Sequence, residues 1–153
     1  MSEKKEGCPF CRALEAGDDR AEHIVYRGKD AFVILNRYPY NNGHLLIMPY
    51  AHVADLDALD EPTRGEMMAL VSRSVQALRE ASRPQGFNVG MNLGEPAGAG
   101  VADHLHIHVV PRWSGDTNYM TVVHHVRTIP ELLAETYDRL QPILARLSAE
   151  QAA

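Results

Sequence analysis

The spacing of apolar residues changes character several times along the chain. EHIVYRG and DAFVILN, separated by Gly28 and Lys29, read as two β-rich runs joined by a tight turn. NNG at 41–43 is a second turn signal, and HLLIMP behind it reads as a third strand that Pro49 ends. Three strands in succession predict an antiparallel meander. Beyond Asp60 the period becomes helical: Met67, Leu70, Val71, Val75 and Leu78 recur on one face, with Asp60 placed to cap the helix and Pro62 tolerated in its first turn. This spacing predicts a helix from about Glu61 to Ser82, with Met67 and Met68 assigned to its core face. GFNVGMNL returns to strand character, and the glycine-rich loop GEPAGAG leads into DHLHIHVVPRW. Thr128, with Glu131 three residues on, forms a capping-box signature for a last helix carrying Leu132, Leu133, Leu140, Ile143 and Leu144, bent at Pro142. The expected class is α+β, with about five mostly antiparallel strands and two main helices.

At 153 residues and 45% hydrophobic content, the chain matches one domain, expected over residues 7–147 with flexible tails at 1–6 and 148–153. A net charge of -5 without a long basic run argues against a nucleic-acid surface, and leaves room for a small polyanionic ligand at a locally positive or metal-lined site. No stretch approaches the roughly 20 apolar residues that cross a bilayer. The start, MSEKKEGCPFC, lacks the apolar core of a secretory signal, so a cytoplasmic location is expected. In a reducing compartment the pair Cys8 and Cys11, spaced C-P-F-C, points to metal binding or redox chemistry more than to a structural disulfide.

His104, His106 and His108 alternate with Leu105, Ile107 and Val109. On a strand this sends the imidazoles to one face and the aliphatic residues to the other. Same-face neighbours then lie about 6.6 Å apart at a rise of roughly 3.3 Å per residue, a distance that suits one histidine on a metal and the next on a substrate. Three histidines sharing one metal would have to bridge both gaps with bonds of about 2.0–2.1 Å, which argues against an all-ligand row.

H-L-H-I-H-V-V at 104–110 resembles the signature of the histidine triad family of nucleotide hydrolases and transferases. The likeness runs from about Cys8 to Trp113 and includes Asn36 and NNGHLLIMPYAH; NLGEPAGAG and PRWSGDTNYM look most like the branch containing diadenosine tetraphosphate phosphorylases and related dinucleoside polyphosphate enzymes. The resemblance implies His106 as the nucleophile that takes a nucleotidyl group from the α-phosphorus, to be released to water or phosphate. It implies His108 and His44 as supporting residues and Asn36 on a ribose hydroxyl. An imidazole near its pKa is a competent nucleophile at neutral pH, and its phosphorus–nitrogen bond is labile. The backbone N–H groups of Gly98, Ala99 and Gly100 are candidates for phosphate oxygens, and Asn92 stands close to that loop. Family members in the better-known hydrolase branch carry a side-chain amide or hydroxyl in this loop.

The resemblance also implies a structural zinc held by Cys8, Cys11, His52 and His104, a donor set that suits four-coordinate zinc. A redox pair would be expected at a helix start after a strand, a setting the sequence does not suggest. A homodimer is implied as well, with the first long helix in the contact. Trp113 is a candidate for packing against a base or a partner subunit, and His124 and His125 receive no role. A nucleoside phosphoramidate hydrolase and a non-catalytic nucleotide-binding module are the alternatives.

Overall fold

The computed structural model describes residues 7–116 and 131–152. Five antiparallel strands, β1 (Ile24–Arg27), β2 (Ala31–Leu35), β3 (Leu45–Pro49), β4 (Gly86–Gly90) and β5 (Ile107–Arg112), form one sheet in the order β1-β2-β3-β5-β4. The meander and the α+β class stand as expected. Strands β2 and β3 are buried at every position, which is why they read as continuous apolar runs instead of alternating ones.

One face of the sheet packs on two long helices, α3 (Glu61–Ser82) and α4 (Leu133–Ala152). Val33, Leu35, Leu45, Ile47, Ile107 and Val109 meet Leu70, Leu78, Leu140 and Leu144 there. Asp60 caps α3 by accepting from the Thr63 N–H at 2.9 Å, as predicted. The opposite face, carrying Phe32, Ile34, Leu46 and Met48, is covered by a helix that the hydrophobic pattern did not reveal, α1 (Pro9–Glu15), through Phe10, Ala13 and Leu14. A further turn of helix, α2 (Asp19–Glu22), leads into β1.

Several expectations need correction. Residues 148–152 continue α4, and Ser148 is 6% exposed, so this stretch is helix and not a free tail. Its small side chains extend the Leu140, Leu144 row by one more turn without adding an apolar signal. Met67 is buried as assigned, but Met68 is 57% exposed, one position round the helix from the core face. Thr128, His124, His125 and residues 1–6 lie outside the described residues.

Candidate active site and metal centre

The histidine row straddles the start of a strand instead of lying within one. Strand β5 begins at Ile107, so only His108 is a strand residue. Ahead of it the Leu105 N–H donates to Val53 O at 2.7 Å, and His104 Nε2 donates to Pro49 O at 2.9 Å, so the segment after β3 replaces the ladder. The alternation survives: Leu105, Ile107 and Val109 enter the main core. His108 sits opposite Leu46 on the α1 face.

Hydrogen bonds fix the proton on each neutral ring. The Tyr40 N–H donates to His44 Nδ1 at 3.1 Å, so that nitrogen is bare and Nε2 carries the proton. His44 Nε2 lies 2.9 Å from His108 Nδ1 and donates to it. His108 therefore holds its proton on Nε2, which is buried and has no partner among the described residues. His106 Nδ1 donates to His104 O at 2.8 Å, so in the neutral ring the lone pair lies on Nε2. Burial, reinforced by the neighbouring histidines, pushes His44 down to about 3; burial and then His106 push His108 down to about 4. Both rings are neutral near pH 7.

His106 and His108 line a cavity of about 350 Å³ with Asn36, Gly98, Gly100 and Phe10. Asn36 Oδ1 accepts from the Tyr38 N–H at 2.9 Å and its amide nitrogen lies 3.3 Å from His44 Nδ1. The glycine loop arrives at the cavity, but two of its amides are already used: Gly98 N–H donates to Glu95 O at 2.9 Å and Ala99 N–H to Gly94 O at 3.4 Å, closing a short 3-10 turn. The structure thus departs from the expected cradle of three free N–H groups. Asn92 holds the loop by donating to Gly98 O at 3.2 Å, and lines a separate cavity of about 390 Å³ that shares Tyr40 and His108 with the first. Trp113 is half-buried, and its backbone N–H donates to Asp116 Oδ2 at 3.2 Å.

Cys8, Cys11, His52 and His104 converge, their ligand atoms all within 4.8 Å of one another. The Sγ–Nδ1 separations are 3.4 Å for Cys8–His104, 3.4 Å for Cys11–His52 and 3.7 Å for Cys11–His104. Tetrahedral bonds of about 2.3 Å to sulfur and 2.0–2.1 Å to nitrogen require an S···N edge of about 3.6 Å, so these three separations match edges of a zinc tetrahedron. The His104 Nε2–H on Pro49 O fixes the ring with Nδ1 toward the thiols. Contrary to expectation, the cysteines do stand at a helix start, Cys8 as N-cap and Cys11 inside α1. The converging imidazoles, not the absence of a helix, are what distinguish this site from a dithiol redox pair.

Sequence reasoning missed Tyr40 and Phe10. The Tyr40 ring lies 4.7 Å from that of His44 and stacks on that of His108 at 6.0 Å and 10°. Phe10 lies 5.6 Å from both His104 and His106. The only available hint was the position of Phe10 between the two cysteines.

A HIT domain model matches residues 18–115. Two AP-4-A phosphorylase sequences from Mycobacterium tuberculosis, strains CDC 1551 / Oshkosh and ATCC 25618 / H37Rv, are 44% identical over 84% of this chain, which spans 65% of their length. Among solved structures, a Zn-bound histidine triad family protein from Mycobacterium smegmatis superposes with a TM-score of 0.76 at 28% identity, covering 95% of this chain and 99% of that one. A hypothetical histidine triad nucleotide-binding protein from Sulfolobus tokodaii gives 0.70 at 30% identity, covering 94% and 93%. With the family model spanning residues 18–115 and these likenesses in place, the chain belongs to the HIT domain family.

Proposed function

We propose that this protein is a nucleotidyl hydrolase or phosphorylase acting on dinucleoside polyphosphates through a covalent intermediate on His106. The observation that carries this reading is the hydrogen-bond pattern of two histidines lining one cavity: the Nδ1 contact of His106 leaves its Nε2 for the lone pair, and His108 Nε2 has no partner among the described residues. His106 Nε2 attacks the α-phosphorus, the phosphorus–nitrogen bond forms, and the bond to the bridging oxygen breaks as the remaining nucleotide leaves. The His108 Nε2–H donates to a non-bridging oxygen as charge builds there. Water or phosphate then attacks the same phosphorus and restores the imidazole. In this reading Asn36 takes a ribose hydroxyl, the apolar wall of Phe10, Ile34 and Leu46 takes a base, and the loop at Gly98 and Gly100 borders the phosphate chain with the Gly100 N–H as its donor, Ala99 and Asn92 shaping that loop. The 44% identity to AP-4-A phosphorylases supports this substrate class.

The site formed by Cys8, Cys11, His52 and His104 fits a structural zinc, which would supply a closed four-coordinate anchor and no open coordination position. No helix of the described residues is long and apolar enough to cross a membrane, and we place the protein in the cytoplasm as a homodimer with no nucleic-acid partner. Among the described residues β4 is an edge strand, and its Val89 is 47% exposed, which supports association of two sheets.

The test is to incubate wild type and His106→Asn with diadenosine tetraphosphate, with and without phosphate. ADP and ATP formed only with phosphate identify a phosphorylase; AMP and ATP formed with water identify a hydrolase. Wild type should carry an acid-labile adenylyl group on His106, and the variant should bind substrate without turnover. Equal turnover by both proteins would exclude the covalent route.

A further inference from the structure

We infer that metal occupancy and nucleotide binding are thermodynamically coupled through α1, with Phe10 as the positioning residue between them; this rests on the zinc and nucleotide readings above. Helix α1 has seven residues, and the side chain of its N-cap, Cys8, makes no capping hydrogen bond to the helix backbone. A helix this short is not stable by itself, so its order comes from what it packs on and what it binds. Two of the four metal donors are carried by this segment, Cys8 as the N-cap and Cys11 within the helix. Pro9, Phe10 and Ala13 of the same helix line one side of the 350 Å³ cavity. The metal and a nucleoside in the cavity therefore order the same seven residues.

Phe10 is the physical link. Its ring meets His104, a metal donor, edge-on at 5.6 Å and 83°, and meets His106, the nucleophile, at 5.6 Å. A second connection runs through the backbone: the carbonyl of His104 accepts from His106 Nδ1 at 2.8 Å. Fixing the His104 ring on a metal thus fixes the carbonyl that selects the reactive tautomer of His106. Whichever ligand binds first bears the cost of ordering α1, and the second binds more tightly by the same factor in either order.

The experiment measures zinc affinity by equilibrium competition with a chromophoric chelator, with and without saturating AMP, correcting for zinc bound by AMP itself. In wild type, AMP should tighten zinc by about fivefold or more, and zinc should tighten AMP by the same factor. Phe10→Leu, assayed at AMP concentrations that saturate the variant by its own separately measured affinity, should show the coupling reduced to less than about twofold. If the zinc-free chain does not stay folded, zinc loss from the loaded protein into excess chelator replaces the equilibrium; AMP should slow it in wild type and leave it unchanged in Phe10→Leu. Zinc affinity indifferent to AMP in wild type would overturn the coupling while leaving both sites standing. Slowing of equal size in both proteins would overturn the role of Phe10. A chain that takes up no zinc or no AMP would overturn the site reading and the coupling with it.

Discussion

Burial decides what each imidazole can do. His44 is fully buried, and its two ring nitrogens are committed, one to the Tyr40 amide and one to His108. Its proposed contribution is indirect: it keeps the proton of His108 on the nitrogen that has no other partner. Replacing it by phenylalanine would fill the space and remove the donor, freeing His108 to adopt either tautomer. A buried partner lost in this way costs about 1–3 kcal/mol, a fall in kcat of about 5- to 150-fold with KM nearly unchanged. His44→Gln, which can still donate, should recover part of the loss, and steady-state kinetics on both variants decides it. An unchanged kcat in His44→Phe would remove His44 from the relay. The row itself was legible because strict alternation of histidine with aliphatic residues survives in one dimension. The Tyr40 amide was not, since a backbone donor has no side-chain signature and its aim depends on the turn at 41–43.

At the scale of elements, long periodic segments were readable and short ones were not. Helix α3 matched its predicted span because a cap and a sustained period agree at Asp60. Helix α1, at seven residues, offers too few positions for a period, although it closes the site. The end of α4 was lost for a different reason: Ser148 faces the core but does not look apolar. The metal centre should hold α1 in place, so metal analysis of protein purified without added metal should give about one zinc per chain, as a single four-donor site requires. Cys8→Ser should bring it near zero, and a well-folded preparation without zinc would refute the assignment. The turn before β3 makes a separate demand. Gly43 has φ +83°, and a Cβ there would lie 2.8 Å from Leu78 Cδ2 in the main core. Gly43→Ala should cost about 2 kcal/mol, a fall in Tm of roughly 4–8 °C. Calorimetry showing no change would mean that the turn tolerates a side chain.

For the whole molecule, the neutral histidines make stability depend on pH with a definite sign. In the folded protein His44 is held down to about 3 and His108 to about 4, mainly by burial. In the unfolded chain both protonate near 6.5. Above that pH neither state binds the extra proton, and the full stability is present. As pH falls below about 6.5 the unfolded state takes up protons that the folded state refuses, so stability declines until the folded pKa values are reached near 4 and 3. For His44, wholly buried, the slope is about 1.4 kcal/mol per pH unit, or about 2 kcal/mol lost by pH 5. His108 adds less because it is only half-buried. Loss of metal in acid would lower stability as well, but equally in a variant that keeps all four donors. Urea denaturation of wild type and His44→Gln at pH 7.5, 6 and 5, each with excess zinc, therefore isolates the histidine contribution. The wild-type curve should fall more steeply, by about 2 kcal/mol between the extremes. Parallel curves would show that His44 is protonated without penalty in the folded state, and the relay that depends on its bare Nδ1 would have to be abandoned.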